Sequence, residues 1–238
     1  MSLKSVCACL VLLMVCATAG AKQPREVVIY LTAALSITAD GTVQKLTWKD
    51  KAPGLKAIAE RIEPSVRKWK FVPGTLNGVP TSTDTYLTIR IKALPVEDDL
   101  MRLQFLSAHT GAESLPVVPD FPDGAGRAGD LGAVVAIVDF DARGRPSLRS
   151  YEYAGLERSR NDFVAATRAA VKRWRVNLER VGGHPVGTSL RIPFKYCLWE
   201  CPSLPETNGN DTEQHDTHAV ALESAVRLLT VQDPFSGS

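Results

Sequence analysis

An excess of charge of either sign is what this chain most lacks. The 28 Lys and Arg stand against 26 Asp and Glu, a formal net charge of +2, and the basic residues are mixed with acids along the whole length. That balance gives no electrostatic footprint for nucleic acid and reads as an ordinary solvated surface. Histidine is scarce as well, with only His109, His184, His215 and His218. His215-x-x-His218, beside Asp211, Glu213 and Asp216, has metal-ligand character, but it stands in a polar stretch that preorganises no site, so no metal is expected. No Gly-x-Ser-x-Gly, His-Glu-x-x-His, phosphate loop or dinucleotide fingerprint occurs. Asp139 and Asp141 share a strand face, but at a strand end such acids meet water. The chain offers no catalytic residue and no cofactor site, and reads as non-enzymatic.

Cysteine and long apolar runs are concentrated at one end. Cys7, Cys9 and Cys16, three of the five cysteines, share the N-terminus with an apolar run over 6–15, a basic start ending at Lys4, and the small residues Ala19-Gly20-Ala21. That layout is a secretory signal peptide, 1–21, cleaved after Ala21. The run is short beside the roughly 20 residues of a spanning helix. Two other readings stay open: retention as an inner-membrane anchor, and lipid attachment at Cys16, where Val15 stands in place of the small residue such a site wants. Export to the periplasm is the expected localisation. An oxidising compartment then makes Cys197 and Cys201, spaced i, i+4, candidates for a disulfide whose small loop adds little stability.

What the chain does hold is one short phrase written twice. Val66-Arg67-Lys68-Trp69-Lys70-Phe71, followed by Asn77-Gly78-Val79-Pro80, returns 105 positions later as Val171-Lys172-Arg173-Trp174-Arg175-Val176 and Gly182-Gly183-His184-Pro185. Two copies are too few for a solenoid and imply tandem domains. Around the first copy, 27–38 reads as a strand, Asp40-Gly41 as a hairpin turn, and 43–48 as the return strand. A helix follows from Leu55 with Ile58, Ala59, Ile62, Val66 and Trp69 on one face, and Pro64 is expected to kink or break it. Alternation over 83–94 closes the unit. The second copy repeats the order: strand 131–140, turn 142–145, strand 147–153, amphipathic helix 162–174, strand 188–196. Leu87, Ile89 and Lys92 align with Leu190, Ile192 and Lys195 at an offset of 103, so loop lengths are expected to differ.

The expected fold is therefore α+β: two tandem β-β-α-β modules, each a helix packed on a short antiparallel sheet. The domains are the signal peptide 1–21, module 22–94, a Pro/Gly-punctuated linker 95–130 with a short helix or strand over 97–107, module 131–198, and a polar tail 199–238 ending in an amphipathic helix over 219–231. Modules of about 65 residues have marginal cores, which packing on each other would relieve.

Trp69-Lys70-Phe71-Val72-Pro73 with Asn77-Gly78-Val79-Pro80, preceded by Asp40-Gly41-Thr42-Val43, resembles the C-terminal domain of the TonB energy-transducer family over about 27–94. The stretch 131–198 is similar to a degenerate copy that keeps Trp174, Gly183 and Pro185. Each motif residue also has a structural use: the tryptophans bury a large apolar area at a helix end, and Asn-Gly supplies left-handed turn angles. The resemblance implies partner binding in the envelope by strand addition, in which an extended peptide, as from an outer-membrane TonB-dependent receptor, joins a sheet edge. By that analogy the candidate edges are Thr85, Leu87, Ile89 and Ile91 in one module and Ser189 and Arg191 in the other. The first strand opens close behind Ala21 with no Pro/Lys-rich spacer, which favours a periplasmic binding protein over a membrane-anchored accessory energy transducer. An envelope hydrolase or metal-binding protein is the remaining alternative.

Overall fold

Alternation sets the first strand: in β1 (Val27–Ile37) Leu31, Ala33, Leu35 and Ile37 are buried while their neighbours are half exposed. The computed structural model describes residues 26–97, 100–197, 202, 218–230 and 232–235. Asp40-Gly41 turns the chain into β2 (Val43–Trp48), with Gly41 at φ +82°. There the Gly41 carbonyl accepts the Phe71 N–H at 3.0 Å. A Cβ on Gly41 would lie 2.0 Å from the Phe71 oxygen, so the approach admits only glycine. The helix α1 (Pro53–Val66) starts on a proline, whose missing N–H has no helical partner anyway, and buries Ala59, Ile62 and Val66. The break expected at Pro64 does not occur. Pro64 sits in the last turn, where its ring forfeits a single helical bond, and the helix runs on to Val66.

After α1 come β3 (Lys70–Val72), the hairpin β4 (Thr75–Leu76) and β5 (Val79–Pro80), and the long β6 (Thr83–Glu97). Asn77 and Gly78 take φ of +52° and +78°, the two positive angles of a tight primed hairpin turn. The stretch expected to be a linker instead carries β7 (Leu100–Gly111), β8 (Glu113–Leu115) and α2 (Asp123–Ala128). The second half follows as β9 (Gly132–Phe140), β10 (Pro146–Gly155), a 3-10 turn, α3 (Arg160–Arg173), β11 (Arg175–Asn177), β12 (Arg180–Val181), β13 (His184–Pro185) and β14 (Thr188–Tyr196). Helix α3 buries Phe163, Val164, Thr167, Ala170 and Val171. The starts of β4 and β12, of β5 and β13, and of β6 and β14 each lie 105 positions apart. Leu87 thus corresponds to Ile192, and the expected offset of 103 at this strand is corrected: the loops between them do not differ in length.

Two larger antiparallel sheets result among the described residues, beside three two-stranded pairs. One runs β2-β1-β6-β7, with the β12-β13 hairpin joined to the first residues of β6. The other runs β10-β9-β14-β15, where β15 (Val220–Ala221) comes from the C-terminal segment. Each sheet packs a helix, α1 against Leu31, Leu35 and Ile89, and α3 against Val134, Ala136 and Phe194. The terminal helix expected over 219–231 is absent from its described residues, which hold β15 and β16 (Arg227–Thr230) instead.

Two short strands cross between the halves. β8 pairs with β11, matching Ser114 to Val176, and β16 pairs with β3, matching Leu228 to Phe71. The strand that follows each helix is thus completed by the segment that trails the other half. Cys197 is disulfide-bonded, whereas Cys201, its expected partner, lies outside the described residues, as do the expected signal peptide 1–21 and most of 199–217. Among the described residues no helix is long and apolar enough to cross a membrane.

Candidate functional site

The strands expected to accept a partner are not edges. Thr85, Leu87, Ile89 and Ile91 are all buried in β6, which lies between β1 on one side and β12 followed by β7 on the other. Ser189 and Arg191 stand in β14, between β9 and the C-terminal β15. The physical reason is the same in both places. A bordering strand leaves a row of unpaired N–H and C=O groups, and here the chain that follows folds back onto them, along most of β6 and at Ser189–Arg191 of β14.

The motif residues hold the scaffold. Trp69, Phe71 and Trp174 are buried, and Pro73 is buried beside them. Pro80, Gly183 and Pro185 are exposed at hairpin turns. Asp40 accepts hydrogen bonds from the hydroxyls of Thr38 and Thr42, and the Thr38 bond holds its carboxyl below the usual range. The two tryptophans differ at one atom. Trp174 Nε1 donates to Ser114 Oγ on the crossing strand β8 at 3.0 Å, whereas buried Trp69 Nε1 has no hydrogen-bond partner. The register explains it: β16 sets Leu228 against Phe71 where β8 sets Ser114 against Val176, so the first half meets a hydrocarbon in place of a hydroxyl.

A buried carboxylate ties the halves together. Glu179, 3% exposed, accepts the Thr85 hydroxyl at 2.5 Å, the Ser224 hydroxyl at 2.8 Å and the Ala225 N–H at 2.8 Å. These donors come from β6 and from the loop between β15 and β16. Ser224 Oγ also lies 3.2 Å from Thr110 Oγ1 on β7, so one polar cluster joins segments far apart in the chain.

Next to this junction the outer face of the first sheet and the second half enclose a cavity of about 260 Å³. Tyr30, Tyr86, His109, Glu113, Trp174 and His218 line it. His218 stacks on Tyr30 with ring centroids 3.6 Å apart. Glu113 Oε2 accepts from Lys49 Nζ at 3.0 Å and Asn177 Nδ2 at 2.6 Å. Burial pushes the Tyr86 hydroxyl pKa up, which keeps it a neutral donor. Sequence reasoning missed this grouping because its members come from separate strands. The one visible signal was the polar face of β6, on which Tyr86 and Thr88 alternate with the buried residues. Of the pair His215 and His218, at which no metal was expected, His215 lies outside the described residues, and no group of three metal-ligating side chains occurs among the described ones.

Strands β2, β7 and β10 border the sheets. β2 bounds the first, beside Glu60 and Glu63 of α1. β10 bounds the second, beside Arg160 and Arg168 of α3. The outer strand β7 meets the C-terminal segment, since the Thr110 hydroxyl donates to the Val226 carbonyl.

Part of the chain is TonB-like. It is 34% identical over 80 residues to Protein TonB of Xanthomonas campestris pv. campestris strain B100, and equally to that of strain ATCC 33913. The chain spans about a third of the length of these curated relatives, 34% of each, and the same share of this chain is matched. No family model matches, and no solved structure matches.

Proposed function

We propose that the chain is a non-enzymatic envelope protein of two TonB-like modules, exported to the periplasm, that binds a protein or peptide by strand addition in connection with TonB-dependent transport. The likeness to Protein TonB over 80 residues carries this reading. The repeated element order and the shared spacing of the two hairpins support the pair of modules. With the expected residues of β6 and β14 engaged by the chain itself, a partner strand adds to a border that remains open, such as β2, β10 or the outer side of β7. Self-completion separates such a protein from one that must offer its inner strands to a receptor, and fits a binding or scaffolding partner of the transport machinery.

A pull-down from outer-envelope extracts with the chain lacking 1–21 tests the reading. Recovery of outer-membrane receptors, or retention of peptides copied from their TonB-contacting segments, is expected. If neither is held above the level of an unrelated periplasmic bait, the link to transport falls.

A further inference from the structure

We infer that the border of β10 between Ser150 and Gly155 is a docking edge for an extended acidic peptide. This rests on the strand-addition reading and names the edge and the chemistry of its partner. Register supplies the first argument. β10 pairs with β9 through a bulge between Leu148 and Ser150, and from Ser150↔Ile137 to Gly155↔Gly132 the pairing is regular, leaving a straight border on the far side. Pro146 and the bulge blunt only the opening of the strand, as edges closed to partners are blunted along their length.

Charge supplies the second. On the helix side of this border, Tyr151 and Tyr153 pack against the core and carry arginines from α3. The Arg168 guanidinium lies 5.6 Å from the Tyr151 ring centroid, and that of Arg160 6.0 Å from the Tyr153 centroid. Stacking on a ring holds a guanidinium while leaving its N–H fork free to receive a carboxylate. Among the described residues no carboxylate pairs with Arg168. Arg160 meets Glu157 at 3.1 Å, an exposed pair that a partner carboxylate can displace. An added strand turns alternate side chains toward α3, so carboxylates at every second position face these arginines. The border of β2 has a mixed flank: Glu60 and Glu63 stand beside it with Lys51 and Lys56, Lys56 pairs with Glu60, and Glu63 already holds Arg67 and the Trp48 indole N–H. The guanidiniums of Arg160 and Arg168, and not repulsion elsewhere, draw an acidic strand to β10.

Fluorescence anisotropy with the full chain tests this, using labelled short peptides that alternate valine with glutamate, glutamine or lysine. The glutamate peptide is expected to bind, the lysine peptide not. Arg168→Glu should weaken binding about fivefold or more, Arg168→Lys much less, and added salt should weaken it further. N-methylation of alternate peptide amides should abolish binding in one of the two possible phasings. Amide exchange should show new protection in Ser150–Gly155. Equal affinity for the glutamate and glutamine peptides, or protection confined to β2, overturns the assignment. An envelope partner recovered equally by the wild type and by an Arg160→Glu/Arg168→Glu variant also overturns it, while leaving the broader function standing.

Discussion

Glu179 is buried in the junction with hydroxyl and amide donors as its partners, so its role is read in what its loss would orphan. Glu179→Ala leaves the Thr85 hydroxyl, the Ser224 hydroxyl and the Ala225 N–H without their acceptor, and should cost about 2–4 kcal/mol in urea denaturation. Glu179→Gln keeps an acceptor oxygen and should cost less. Ser114→Ala makes the second half resemble the first, with an indole N–H buried and unpartnered, at about 1–2 kcal/mol by the same measurement. Asp130 governs a pH effect. Hydrogen bonds from Arg158, and then Ser159, hold its carboxyl at about 2, against 3.8 for the unperturbed group. A depressed folded pKa contributes stability that is present above the unfolded value and is lost as pH falls through the folded one. Melting temperatures taken downward from about pH 5 should therefore drop less steeply for Asp130→Asn than for the wild type between about pH 4 and 2.

Elements divide by whether their cause is local. The Asp40-Gly41 and Asn77-Gly78 turns and the buried faces of both helices were legible because turn angles and helical spacing are written within a few residues. Gly41→Ala meets both a left-handed φ and the Phe71 carbonyl, and should cost upward of about 2 kcal/mol in thermal melts. The inner position of β6 was not legible. Its alternation says which side chains are buried and nothing of which neighbours its backbone finds. The C-terminal segment misled for a related reason. Ala219, Leu222, Val226 and Leu229 have helical spacing, yet Leu222 and Leu229 are about half exposed and only Val226 is deeply buried. Unpaired strands nearby outcompeted a short helix, as tertiary context commonly overrides local preference. The cavity was hidden for the same reason, its lining being gathered by pairing alone.

At the scale of the whole molecule, the halves are not independent parts. A chain ending before residue 218 loses β15, β16 and Val226, and with them the neighbours of β14 and β3. It also strips Glu179 of two donors. Such a truncation should melt at lower temperature and self-associate in light scattering as protein concentration rises, because exposed strand borders pair with one another. A truncated monomer with unchanged melting would show that the C-terminal strands β15 and β16 are ornament.

The pairing of Lys70 with Thr230 also sets an order of events in time. As the chain is made from its N-terminus, β3 emerges early and its neighbour much later. The first half spends that whole interval with one flank open, and contacts this distant in sequence form slowly. Completion of the β3–β16 pair therefore waits for the C-terminal segment, and the waiting interval is when a chaperone would find the most to hold.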